Sequence, residues 1–345
     1  MRYALCALLL SALAACSPAA AAEGRVAEIR ERLLNANQWR DHVMVVAHRA
    51  GGLQSRKSRF PENSRAALAD AISSGAEMVE IDVQKSADGV YVVMHDTWLD
   101  RTTDCKGEVA QFALAELKTC RLKVEATSEV TAETVSSLAE LLEAARGRIM
   151  VNIDNKLAPA DLVGMAEVAE GLGMSDQIVV KLNLWNDARI AEADRLIALL
   201  PRGVTFMPIV ADDAVRDPAL LETVARAVSA SAVELISWHS GGEPMTRDGG
   251  PLFGARARAV AARGDWHLWV NTYAIVNKSA GMLSGGRGDQ LAVDAGLPAE
   301  AFGFWVDRGA TIIQTDEPGE AIRWLDAKGY RRPYAIGAEQ AVAAE

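Results

Sequence analysis

Positive charge is in short supply in this sequence: 36 lysines and arginines stand against 46 aspartates and glutamates, a formal net charge of −10. No run of lysine and arginine forms a basic stripe, so the electrostatic footprint of a nucleic-acid binder is missing and no such partner is expected. Long apolar runs are also lacking. The leader segment from Ala4 to Ala15 is too short to span a bilayer. Histidine is scarce, with five in the whole chain. Two of these, His48 and His95, fall at the ends of apolar strands in one segment, and that placement draws attention.

Arg2, the apolar core behind it and the small residues that follow read as an export signal over residues 1–22. Leu13-Ala14-Ala15-Cys16 resembles a bacterial lipobox, which would make Cys16 a lipidated first residue; the rival cut falls after Ala22. Either route exports the chain, to the periplasm or to a lipid anchor on the outer membrane, and Cys16 is the one expected membrane contact. Of the four cysteines, only Cys105 and Cys120 then remain in the folded part. A bond between them would close a loop of about fifteen residues and stabilise an exported protein by about 3 kcal/mol. The alternative is two free thiols.

Half of the residues are apolar, enough for a sizeable core. Residues 23–42 read as a spacer and lead-in helix, 43–335 as the main folded unit and 336–345 as a tail. Apolar runs fall at 43–48, 78–83, 149–154, 177–182, 204–210, 233–238, 267–272 and 310–315. Segments of helical spacing lie between them, such as 64–74, 135–146, 159–170, 187–200 and 218–229. Alternation of this kind implies an α/β fold with parallel pairing, and eight units suit a TIM-type (β/α)8 barrel. Val90 to His95 breaks the rhythm behind the turn signal Asp88-Gly89, so it is expected as an extra antiparallel hairpin strand. Residues 97–134 are expected as a small insertion at the barrel mouth, and 239–252 as a second excursion there.

Residues two apart in a strand share a face, so Glu80 and Asp82 point opposite to Val79, Ile81 and Val83. With the aliphatics against the helices, the acids face inward. Asn152, Asp154 and Lys156 repeat the pattern. Three confined carboxylates, Glu80, Asp82 and Asp154, require a compensating cation, and an all-oxygen donor set suits one divalent Mg²⁺ or Ca²⁺. Ion pairing with Arg49 or Lys156 is the alternative. His48 and His95 would serve as an acid/base pair for cleaving a phosphodiester, one taking a proton and the other giving one. Arg49, Lys156 and Lys181 are expected to offset phosphate charge, Trp269 is a candidate apolar wall for the substrate, and Asp316 ends the last strand at the same mouth.

At these residues the chain resembles the glycerophosphodiester phosphodiesterase family. The likeness is carried by His48-Arg49, Pro61-Glu62-Asn63-Ser64, Gly75-Ala76-Glu77, Glu80-Ile81-Asp82-Val83, Asp88-Gly89, His95-Asp96 and Arg101-Thr102-Thr103. Weaker echoes are Asn152 to Lys156, Trp269-Val270-Asn271 and Thr315-Asp316-Glu317-Pro318. The resemblance implies hydrolysis of small glycerophosphodiesters to glycerol 3-phosphate and an alcohol by a metal-dependent barrel, expected as a monomer. It further implies Glu80, Asp82 and Asp154 on the metal, His48 and His95 as the acid/base pair, Arg49 and Lys156 on the phosphate, and Glu62 and Asn63 bracing them.

Two positions depart from the family pattern. Asp154 stands where glutamate is usual, and Ala50 where glycine follows His-Arg, ahead of a basic stretch with Arg56, Lys57 and Arg59 that reads as a solvated loop. Two rivals share these residues. One is a phospholipase D-like or lyase enzyme that forms a cyclic phosphate from lysophospholipids or sphingomyelin; the other is an exported barrel that binds without catalysis.

Overall fold

The eight apolar runs form eight parallel strands closed into a barrel in the computed structural model, which describes residues 18–54, 57–240, 242–274 and 283–335. Helix α1 (Pro18–Leu34) leads to β1 (Met44–Ala47), and a small hairpin of β2 (Leu53–Gln54) and β3 (Lys57–Ser58) precedes α2 (Arg65–Ser74). β4 (Met78–Lys85) turns back as β5 (Tyr91–Val93). The insertion then carries α3 (Leu114–Leu117) and a hairpin of β6 (Arg121–Lys123) and β7 (Val130–Thr134). Strict alternation follows: α4 (Leu138–Ala145), β8 (Met150–Asn155), α5 (Asp161–Gly171), β9 (Ile178–Asn183), α6 (Asp187–Ile197), β10 (Thr205–Ala211), α7 (Ala219–Ala227) and β11 (Ala232–Ile236). The chain finishes with α8 (Ala255–Gly264), β12 (His267–Asn271), α9 (Phe304–Asp307), β13 (Ala310–Thr315) and α10 (Pro318–Ala327).

β1 closes the ring by pairing in parallel with β13 on one side and β4 on the other. β4 has a divided edge. Its start, Met78-Val79, lies beside β1, while its end, Val83 to Lys85, pairs antiparallel with β5. The chain is therefore free to leave the sheet at His48, and β5 delivers His95 two residues beyond its own end.

The inward faces are layered by the two-residue period of the strands. At the bottom Met44, Val46, Met78, Met150, Val179, Met207, Ala232, Trp269 and Ile312 pack as one apolar cluster, plugged by Val26, Ile29 and Leu33 of α1. Two residues further along the same strands stand Glu80, Asn152, Lys181, Glu234, Asn271 and Gln314, all buried. The interior thus changes from apolar to polar over one side-chain layer. Outside the wall, Val79, Ile81, Val83, Val151, Ile153 and Val180 join the strand–helix core. Local signals set the helix ends: Ser64 Oγ accepts from the Ala67 N–H (3.1 Å) to start α2, and Gly75 at φ 86° ends it in a conformation that disfavours a Cβ.

The lead-in helix starts earlier than its sequence pattern suggested, because the alanine-rich run from Pro18 joins it. Cys16, the rest of the leader to residue 17, the tail 336–345 and Arg56 lie outside the described residues. Lys57 is exposed in the β2–β3 hairpin, and Arg59 reaches Asp70 at 3.1 Å. The insertion has a core of its own, with Val92, Met94, Leu99, Val109, Leu117, Leu122 and Val135 around the Cys105–Cys120 disulfide. Among the described residues no helix is long and apolar enough to cross a membrane.

Glu77 fastens the bottom of the barrel. Its carboxylate accepts from Val45 N (2.8 Å), Arg331 (2.9 Å) and the Tyr334 hydroxyl (3.0 Å). Burial pushes this carboxyl up, but Arg331 and His42 override it and hold it well below the ordinary range. A depressed folded pKa stabilises fully above the unfolded value of about 4.3, and the contribution is lost as pH falls from there toward the folded pKa. Replacing Glu77 by alanine is expected to cost about 3–5 kcal/mol at pH 7, since Arg331 loses its buried partner. Urea unfolding at pH 7 and pH 3 checks this: the gap between wild type and Glu77→Ala should shrink at the lower pH.

Candidate active site

The barrel ladder places the acids. Glu80 lies opposite Asn152 and Asp82 opposite Asp154 in the β4–β8 register, so the two acidic strands reach the mouth side by side. One oxygen from each of Glu80, Asp82 and Asp154 lies within 4.8 Å of the others. The shorter side chain at 154 therefore still reaches the group. Lys156 Nζ sits between two of them, 2.9 Å from Asp82 and 2.7 Å from Asp154. Beneath, Lys181 Nζ lies 3.2 Å from Glu234 and 3.8 Å from Glu80.

These cations do not quiet the acids completely. Burial, then the charge of Asp82, pushes the Glu80 carboxyl up to about 8. Asp82 goes the other way: burial opposes it, but Lys156 and Arg49 keep it ionised far below the usual range. Such a split is expected of crowded carboxylates that cannot all ionise together. The donor set, all carboxylate oxygen on one inward face, fits a hard divalent cation, so Glu80, Asp82 and Asp154 are the residues that could hold one.

Around this floor the side chains are tied tightly. Asn63, at φ 57°, donates to Asp82 Oδ2 (2.8 Å) and accepts from the Asp82 N–H (3.1 Å). Arg49, also left-handed at φ 50°, gives its N–H to Glu80 (3.0 Å) and its guanidinium to Glu62 (2.9 Å). Glu62 also receives both terminal nitrogens of Arg101, at 2.9 and 2.8 Å. Burial raises the Glu62 carboxyl, yet Arg49 and Arg101 hold it low. Arg49 is thus positioned by the acids it offsets.

Both histidines are backed by carboxylates. His48 Nδ1 is 2.8 Å from Asp316 Oδ1, and its ring stacks on Tyr273 with centroids 3.7 Å apart and planes at 10°. Burial lowers the His48 pKa against the pull of Asp316, so this imidazole is held neutral. His95 Nδ1 is 2.6 Å from Asp96 Oδ1, and Asp96 is gripped in turn by Arg101 at 2.7 and 3.0 Å. A carboxylate only accepts, so each Nδ1 carries the shared proton and each Nε2 is left for chemistry. The two rings share a neighbour, since the charge of Asp82 bears on His48 and that of His95 bears on Asp82.

The structure brings together His48, Arg49, Glu62, Asn63, Glu80, Asp82, His95, Asp154, Lys156 and Asp316. Two expected substrate contacts are engaged within the barrel instead. Trp269 is 0% exposed in the apolar bottom layer, its indole N–H spent on Asn271 (2.9 Å) and Gln314 (3.1 Å), so it offers no wall to a substrate. Tyr273 takes the place beside the site. Lys181 shares the layer of Glu80 beneath the mouth and is paired with Glu234 at 3.2 Å, so its charge goes to the acids of the site. Sequence reasoning missed Glu234, Tyr273 and Asp289. The two-residue period would have found Glu234, inward and two past Ala232, but Tyr273 and Asp289 lie beyond strand ends where periodicity stops.

Residues 48–273 match the glycerophosphoryl diester phosphodiesterase family. A glycerophosphodiester phosphodiesterase of Bacillus altitudinis is 39% identical over 102 residues, covering 29% of this chain and 42% of its own, so the likeness spans under half of that relative. Among solved structures, a glycerophosphoryl diester phosphodiesterase of Parabacteroides distasonis aligns over 88% of this chain and 92% of its own, with TM-score 0.63 and 20% identity. A phosphodiesterase of Oleispira antarctica in complex with the product sn-glycerol-3-phosphate aligns over 82% of this chain and 96% of its own, with TM-score 0.54 and 20% identity. At that identity the two structures show the shared fold. With the family match running from the first site histidine to the tyrosine stacked on it, the chain belongs to the glycerophosphoryl diester phosphodiesterase family.

Proposed function

We propose that the protein hydrolyses glycerophosphodiesters to glycerol 3-phosphate and an alcohol. The observation that carries this reading is the pair of imidazoles, each fixed through Nδ1 by its own aspartate, leaving segments that pair with the strand carrying Glu80 and Asp82. His48, held neutral, takes the proton of the attacking glycerol hydroxyl and His95 delivers one to the leaving alkoxide; with the two roles exchanged, water then opens the cyclic phosphate to glycerol 3-phosphate. Arg49 and Lys156 supply positive charge for the phosphate. One divalent cation on Glu80, Asp82 and Asp154 would polarise the phosphoryl oxygen and offset charge developing on it. The donor oxygens lie within 4.8 Å of one another, close enough to converge on either Mg²⁺ or Ca²⁺.

Phosphorus NMR of the reaction with glycerophosphocholine and glycerophosphoethanolamine tests the reading. Glycerol 3-phosphate should accumulate with Ca²⁺ or Mg²⁺ and vanish with chelator. A persisting cyclic phosphate, or no turnover on any head group, would overturn it. The Cys105–Cys120 bond supports placing the protein in an oxidising, exported compartment. Fractionation of the native host with labelling at Cys16 checks that placement; a cytosolic, unlipidated chain would remove it.

A further inference from the structure

Behind His48 lies a carboxylate that the proposed proton transfers do not use. Asp289 is fully buried on the crossover between β12 and β13, directly before the helical turn Gln290–Asp294. Its backbone N–H donates to the Thr272 carbonyl (2.8 Å), the first residue past β12. Its carboxylate accepts from the Asp316 N–H (2.9 Å) and lies with both oxygens 2.9 Å from Thr315 Oγ1, at the end of β13. One residue therefore ties two strand ends together. Those ends carry the two neighbours that orient His48: Tyr273, stacked on the face of the ring, and Asp316, hydrogen-bonded to its Nδ1. The same two segments meet again where the Ala274 N–H donates to Asp316 Oδ2 at 2.7 Å.

The arrangement is not free of cost. Burial, then the nearby charge of Asp316, pushes the Asp289 carboxyl well up. An aspartate whose acceptors run to the main chain of Asp316 itself is placed to set where that carboxylate points.

We propose that Asp289 is a positioning residue for proton transfer at His48, fixing the ends of β12 and β13 so that Tyr273 and Asp316 hold the imidazole in one orientation and one tautomer. The proposal rests on the reading of His48 as the proton acceptor. Asp289→Ala removes the tie, and Asp289→Asn keeps it, since the amide oxygen accepts from Asp316 N while the amide nitrogen donates to Thr315 Oγ1. On glycerophosphocholine, Asp289→Ala should lower kcat by about 10- to 100-fold with KM within about twofold, and Asp289→Asn should stay within about threefold of wild type. The acid limb of kcat in the alanine variant should move to lower pH, because an imidazole no longer faced squarely by Asp316 releases its proton more readily.

Nitrogen-15 NMR of the His48 ring gives a readout apart from turnover. Wild type and Asp289→Asn should show the Nδ1–H form, and Asp289→Ala a mixture of tautomers. Thr315→Val, which removes the hydroxyl partner, takes the alanine variant's place should that variant not fold. Wild-type kcat, acid limb and tautomer in the folded variant would overturn the proposal. An inactive wild-type protein would instead refute the hydrolase reading, and the tautomer alone then decides whether Asp289 holds His48 in place.

Discussion

Replacing His48 by alanine is expected to lower kcat by about 10³-fold, within the range general acid–base catalysis supplies, with KM for the diester close to wild type. The ring makes one hydrogen bond to Asp316 and one stack on Tyr273, and it is buried. Its loss therefore also removes one of the hydrogen bonds of the buried Asp316, and stability should fall by about 1–3 kcal/mol. His95→Ala should lose a similar factor in kcat. His95 is partly open to solvent, with 14% of its side chain exposed against 6% for His48. Added imidazole should accordingly rescue His95→Ala better than His48→Ala. Undiminished turnover in either variant, measured by glycerol 3-phosphate release, would remove that histidine from its role.

Asp82→Asn is expected to have an effect at least as large. Asp82 is the acid that Lys156, Arg49 and Asn63 all address, and it stays ionised where Glu80 does not. The substitution takes away a charge that Lys156 and Arg49 hold in place, and leaves Asp154 as the remaining acid of the cluster whose pKa is lowered. Calorimetric titration with Ca²⁺ or Mg²⁺ should show affinity lowered by about 100-fold or more, and turnover lowered by about 10³-fold, since a neutral amide is a far poorer ligand for a hard dication. Glu80, relieved of its neighbour, should then titrate below about 8. Unchanged ion binding in Asp82→Asn would show that the ion, if bound, sits elsewhere.

How much of this was legible before the fold was known depends on whether a residue lies inside a strand. All eight barrel strands fall on their apolar runs, and Glu80, Asp82 and Asp154 face inward as the two-residue period requires. That period fails at strand ends, where a turn decides direction. Arg49 and Asn63 take left-handed conformations that no hydrophobic pattern encodes. Trp269 shows a different limit: a strand position fixes the face a side chain takes, but not its height in the barrel. Only the register against β13, which sets Trp269 beside Ile312 and Asn271 beside Gln314, shows that it lies one layer below the polar shelf. Asp289 gave no signal at all, as a lone acid in a glycine-rich crossover whose partners are 17 or more residues away in Asp316, Thr315 and Thr272.

The divided edge of β4 reaches further than the site. One strut carries two of the acids, and His48 and His95 depart from segments laddered to its lower and upper halves. Their separation is then a property of hydrogen-bonded sheet, while the disulfide-stapled insertion braces Asp96 and Glu62 through Arg101 and otherwise packs around its own core at the rim. A lineage or an engineer can reshape that rim to admit a different alcohol and leave the spacing of the proton-transfer groups as it was.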